Sequence, residues 1–357
     1  MTIPTEPIGS LPRPADLIAA THARDAGQIS GEEFDRIADV AVVDTLRAFE
    51  ATGSPVITDG EQRKSHSFAD YCVHGLPNFA PDGFKLQFTS HYRQWPRLTA
   101  GPFRYAQRGD QYLAAALRLT TRPMKQAVIS PSALSLFYPA APLPDYPREQ
   151  FIADLLNEHE SEIGHCLRLG AHSVQVDFTE GRLACKLDPS GELLTNFIRL
   201  NNLALSRFSS ADRQRIGIHT CPGGDCDSTH SADVDYAELL PALFELHAGN
   251  FFVALARERD PRHVLRIIRR YLKADQRVFV GVIDVLDPRI ETPQEVCDRV
   301  LLAADHLPLN QLGTTDDCGF SPFCDDTSTT RETAFAKITA RVQGTALAAA
   351  ALAARPR

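Results

Sequence analysis

His219 and Cys221 stand two apart in the stretch RIGIHTCPGGDCDSTHS, residues 215–231. In extended backbone, positions i and i+2 point to the same side, so this imidazole and thiolate could reach one ion together. Such donors suit Zn²⁺, which takes tetrahedral nitrogen and sulfur ligands. A third ligand has to come from elsewhere, and Cys318 in DDCGF is the leading candidate. An ordinary polar loop is the alternative. A redox pair of Cys221 with Cys226 fits less well, because the spacing is not Cys-x-x-Cys. His230, Asp225 and Asp227 are candidates for lining a pocket around the ligands.

Carboxylates form the second set. Asp177 ends the apolar run SVQVDF, 173–178, and Glu180 follows three residues later; Glu61 lies in DGEQRK, 59–64. Acids at a cleft can bind an ammonium, take a proton or hydrogen-bond a heterocycle. Asp177 and Glu61 are therefore the candidate catalytic acids, with salt bridges between loops as the structural alternative.

Elements that could bring these residues together recur along the chain. Short apolar or β-branched runs lie at 3–8, 55–58, 125–130, 173–178, 215–219, 250–256, 278–284 and 312–315. Helical patterns lie at 31–52, 146–169, 190–209, 235–247, 261–273, 293–305 and 329–353. Near-continuous apolar strands are expected where both faces of a parallel sheet are buried. Strand alternating with helix eight times predicts an α/β fold, a (β/α)8 TIM barrel, as a single domain over 1–357. An aperiodic, aromatic-rich stretch at about 62–122, after the second strand, reads as an insertion able to cover the barrel mouth. An open doubly wound sheet is the runner-up, and the absence of a Gly-rich fingerprint after the first strand counts against it. In a barrel the polar residues at the strand ends converge on the C-terminal mouth, where active sites form.

Composition narrows the rest. The 357 residues are 43% hydrophobic and carry a formal net charge of −8. No long basic run invites nucleic acid, and no apolar run reaches membrane-spanning length. With no signal-like start, a cytoplasmic location is expected. Eight cysteines in a chain this long are too sparse for a disulfide scaffold. The oligomeric state is open, a homo-oligomer included.

Taken together, the ordered motifs resemble the cobalamin-independent methionine synthase family, specifically its C-terminal catalytic barrel. They are IGSLPRP (8–14), DGEQRKSHSFADY (59–71), VQVDFTEG (174–181), HTC (219–221), VFVGVIDVLDPRIETPQEV (278–296) and DDCGF (316–320). The resemblance implies a zinc methyltransferase acting on a small thiol such as homocysteine, in methionine biosynthesis, with methyl-tetrahydrofolate as a candidate donor. It makes His219, Cys221 and Cys318 the zinc ligands. Ser10, Glu61, Asp177 and Glu180 match substrate-binding positions, with Glu61 facing the substrate ammonium.

Three departures stand out. The family's ligating Glu falls at Ala254 or Leu255 here; Glu258 is the nearest acid, and water or thiol is the other option for a fourth ligand. The family's His after the seventh strand is Leu286. The folate-stacking Trp segment matches SPSALSLFYP (130–139), where Phe137 or Tyr138 would stack on a flat ring. The family's N-terminal half has no counterpart. Alternatives are a thiol alkyltransferase of the epoxide:coenzyme M type, a metal-dependent hydrolase, and a non-catalytic barrel.

Overall fold

The computed structural model describes residues 2–64 and 66–355. Six parallel strands form its sheet: β1 (Lys125–Ile129), β2 (Ser173–Asp177), β3 (Ile216–Thr220), β4 (Asn250–Val253), β5 (Arg277–Ile283) and β6 (Leu312–Asp316). They pair side by side in sequence order. Two short segments close the ring. Thr5 bridges Thr314 of β6, and Ile57 bridges Met124 just before β1. These segments then meet, Leu11 N–H donating to Gly60 O and Thr58 Oγ1 to Gly9 O. The fold is a (β/α)8 TIM barrel in which the first two strands have shrunk to single bridges. The runs at 3–8 and 55–58 are therefore much shorter strands than expected. The first run, IPTEPI, holds two prolines, which lack a ladder donor, and the second, PVIT, begins with one.

Helices cover the outside, and their starts follow capping chemistry. Ser30, Asp260, Thr292 and Thr330 each accept a backbone N–H from the first turn of the helix they precede. Helix Tyr236–Leu243 ends well before 247, and Glu192–Leu205 is shorter than 190–209. Helices that had no clear pattern in the sequence include Ala15–Asp25, Gly109–Ala116 and Glu180–Leu187. Inside the barrel, Phe252 stacks on Phe279 at 4.6 Å, and Lys125 Nζ sits 3.9 Å above the Phe252 ring.

The stretch 62–122 divides in two. Its last part, Gly109–Ala116, is a helix of the outer shell packed on β1. The earlier part holds two small antiparallel pairs, Phe79–Ala80 with Arg97–Leu98 and Lys85–Gln87 with Tyr92–Gln94. The second pair lies over the barrel mouth and bonds to the loop after β3. Thr89 N–H donates to Thr229 O at 3.1 Å, and the Arg93 guanidinium clamps the buried Asp225 carboxylate.

The last helix, Arg331–Ala353, is anchored by a buried ion pair, Lys337 Nζ to Glu291 Oε2 at 2.8 Å, both side chains fully enclosed. Removing Glu291 strands the buried Lys337 charge, whereas removing Lys337 leaves Glu291 with Arg299 at 3.4 Å. Glu291→Leu is expected to cost about 3–5 kcal/mol in denaturant unfolding. The double variant Lys337→Met/Glu291→Leu should recover most of that loss, and a double variant as unstable as the single one would contradict it.

Candidate active site

β2 and β3 are neighbours in a register that sets Asp177 opposite His219. Their side chains meet at the mouth, with His219 Nδ1 3.0 Å from Asp177 Oδ1. Gln175 Nε2 donates to the same oxygen at 2.7 Å. Burial alone would lower the His219 pKa, but the hydrogen bond to Asp177 and its charge raise it above the ordinary imidazole value. With the hydrogen on Nδ1, the Nε2 lone pair is free to ligate. Nε2 is buried and has no hydrogen-bond partner.

Cys221 follows β3 directly, and Cys318 follows β6. Their sulfurs lie 3.3 Å apart across the mouth. Ligand atoms of His219, Cys221 and Cys318 all fall within 4.8 Å of one another, and all three residues are buried. The shared thiol hydrogen bond draws the Cys318 pKa down to about 7, while the same contact and burial push Cys221 well up. Two sulfurs bound to one tetrahedral zinc at ~2.3 Å stand roughly 3.8 Å apart, so a small parting of the thiols admits the ion. An orphaned imidazole nitrogen beside two thiols is a donor set that fits zinc.

Two cavities flank these residues. Ser10, Glu61, Asp177, Thr179 and His219 line a small chamber of about 30 Å³. Phe68, Leu86, Phe88 and Phe323 add apolar walls to it. That volume is room for about one water, so a larger guest requires these walls to part. On the other side lies an open cleft of about 900 Å³, bordered by Arg182, Arg257, Glu258, Asp284 and Leu286.

Glu61 occupies a strained position, with φ 58° in the left-handed region. Asp59 Oδ1 accepts its N–H at 2.8 Å, Arg13 donates to its carbonyl at 3.1 Å, and Lys64 Nζ lies 3.2 Å from its carboxylate. Glu61 Oε2 is buried without a partner. Burial raises the Glu61 pKa despite the Lys64 charge.

Several expected residues lie elsewhere. Glu258 is not within ligand distance of the His219 group. β4 ends at Val253, the chain turns, and Arg182 Nη1 holds the Glu258 carboxylate at 2.7 Å. Tyr138 lines neither cavity. Its hydroxyl donates to Tyr146 O at 2.8 Å and its ring packs on Phe151, while Phe137 packs edge-on against Trp95. Glu180 is enclosed by the hydroxyls of Ser130 and Ser132, and burial raises its pKa to about 7. Asp225 serves the Arg93 clamp, and Asp227 is exposed in a tight turn at φ 61°. His230 does line both cavities.

Asp317 was not singled out by its sequence. Its carboxylate accepts the N–H groups of Leu255, Ala256 and Arg257 at 2.8, 2.8 and 2.9 Å. It thereby fixes the turn after β4, next to Cys318. Gly281 makes room for it, since a Cβ there would sit 1.9 Å from Asp317 Oδ1.

Comparison with known proteins agrees with this architecture. Residues 3–343 match the family described as cobalamin-independent synthase, catalytic domain. A methionine synthase of Sulfurisphaera tokodaii is 26% identical over 96% of this chain and 91% of its own length. One from Saccharolobus solfataricus is 22% identical over 96% and 94%. Among solved structures, a B12-independent methionine synthase from Shewanella sp. W3-18-1, in complex with selenomethionine, superimposes with a TM-score of 0.78. It has 18% identity and covers 99% of this chain and 100% of that one. A second, from Listeria monocytogenes, gives 0.70 at 20% identity, covering 97% and 98%. Single-barrel length therefore recurs among these relatives. A family match spanning nearly the whole chain, on a barrel whose mouth carries the residues described above, places this protein in the cobalamin-independent synthase catalytic-domain family, as a methyltransferase.

Proposed function

We propose that the protein transfers a methyl group to the sulfur of an amino-acid thiol such as homocysteine, with zinc held by His219, Cys221 and Cys318. The observation that carries this reading is the orphaned His219 Nε2 beside two thiols, all within 4.8 Å. Zinc bound there supplies Lewis acidity that keeps a substrate thiol ionised near neutral pH. The chain offers three ligands, which leaves the fourth tetrahedral position for the thiol.

The remaining roles belong to side chains. Asp177 orients His219 and adds negative charge to the chamber. Glu61 offers its unpartnered oxygen to the substrate ammonium. Ser10 borders the same chamber and offers a hydroxyl or backbone hydrogen bond. Phe68, Leu86, Phe88 and Phe323 exclude water around the sulfur. Two carboxylates repel a sulfonate and attract an ammonium, which favours an aminothiol over coenzyme M. The open cleft of about 900 Å³ accommodates the donor, with methyl-tetrahydrofolate as a candidate.

Metal analysis of purified protein should find about one zinc per chain, falling at least ~10-fold in Cys221→Ser and in Cys318→Ser. Metal-free wild type with full activity would overturn the reading. The two acids should separate by their effects. Glu61→Gln should raise KM for the thiol ~10–100-fold with zinc content intact, by loss of a charged hydrogen bond worth about 1.5–3 kcal/mol. Asp177→Asn should also weaken zinc affinity ~10–100-fold, because it frees the ligating imidazole. Equal zinc loss in both variants would contradict this division.

A further inference from the structure

The two cavities meet at a wall, and the residues common to both are Gly224, His230 and Cys318. A methyl group passing from a donor in the cleft to a sulfur in the chamber crosses that wall. Gly224 has no side chain, and Cys318 is a proposed ligand. Among the described residues, His230 is thus the other side chain bordering both compartments. It is 4% exposed, and its Nδ1 has no hydrogen-bond partner. Phe88 packs edge-on against the ring at 5.5 Å. Gly223 lies close beneath, so that a Cβ there would sit 1.9 Å from Nε2. Packing rather than polar bonding holds this imidazole, and an unpartnered buried nitrogen is costly unless a ligand pairs with it.

Methyl transfer to a thiol also moves a proton. The sulfur of R–SH forms the new S–CH3 bond, and the CH3–X bond breaks with its electron pair left on X. The thiol sheds its proton in the chamber as it ionises, and where X is an amine nitrogen that leaves as an anion, X must take that proton up. That proton starts in the chamber and finishes in the cleft. Resting on the thiol methyltransferase reading above, we propose that His230 relays this proton, accepting it at one ring nitrogen and releasing the hydrogen of the other to the leaving atom. A neutral imidazole carries one N–H and one lone pair, as a relay requires. Burial, then the charges of Lys186 and Arg182, push the His230 pKa down to about 3 and keep it neutral. Competing groups on the cleft side are weak candidates. Leu286 and Ala254 carry no proton, Glu258 is held by Arg182, His263 pairs with Asp235, Asp284 lies 3.6 Å from Arg257, and Asp317 is committed to three backbone N–H groups; none of these borders the chamber.

The test compares two donors. Methyl-tetrahydrofolate leaves through nitrogen and must take up the proton; trimethylsulfonium leaves as a neutral thioether, and the proton shed by the thiol goes to solvent instead. His230→Phe keeps the ring volume against Phe88, and His230→Gln keeps hydrogen-bonding capacity. With methyl-tetrahydrofolate, kcat should fall ~100-fold or more in His230→Phe and less in His230→Gln, the range expected for a lost general acid. With trimethylsulfonium the fall should stay within ~3-fold, with zinc content and thiol KM unchanged, because a leaving group that takes up no proton does not use the relay. Equal losses with both donors, or no loss with either, would overturn the relay. Wild-type protein that holds zinc yet methylates no thiol from either donor would instead contradict the reading beneath it.

Discussion

The hydrogen bond between Asp177 and His219 is the contact on which the site depends. It exists because β2 and β3 run parallel in a register that sets the two residues side by side. A slip of one residue in either strand would turn its member of the pair to the opposite face. With Nδ1 committed to Asp177, Nε2 is left buried without a partner, facing two sulfurs 3.3 Å apart. An isolated polar atom in such a place is destabilising, and a ligand that pairs it removes the penalty. The proposed zinc site and its orientation both follow from that arrangement.

Closure of the mouth follows from a second constraint. The hairpin after β3 turns sharply at Cys226 and Asp227, both with positive φ, and it presents Asp225 to Arg93 of the overlying strand pair. This clamp brings Phe88 against His230 and completes the apolar wall of the chamber. On the opposite flank, Asp317 gathers three backbone N–H groups of the segment after β4. The segment is therefore held as a turn, and its first acid, Glu258, goes to Arg182 instead of to the metal group. Gly224, His230 and Cys318 border both the small chamber and the larger cleft.

Much of this was legible in the sequence, for identifiable reasons. Strand-end placement put His219, Cys221, Cys318, Asp177 and Glu61 at one mouth, because a parallel barrel sends every strand C-terminus to the same side. The longer helices were readable from their periodic apolar pattern. The first two strands were overestimated, since Thr5 and Ile57 each contribute only one bridge. Tyr138 was misplaced because an aromatic next to a strand end can serve the core as readily as a cofactor. Its partners Tyr146 and Phe151 lie across a loop that sequence spacing does not resolve. The roles of Asp317, which follows the eighth strand run, and of Asp225 in the Arg93 clamp were not readable, because they are long-range contacts with no local pattern.

X-ray absorption at the zinc edge, with and without homocysteine, addresses the central claim directly. The account predicts two sulfurs and one nitrogen from the chain plus one light-atom ligand in the free enzyme. Adding homocysteine should replace the light atom with a third sulfur. A carboxylate that persists in the ligand shell after the thiol is added, or a shell that homocysteine does not alter, would contradict it.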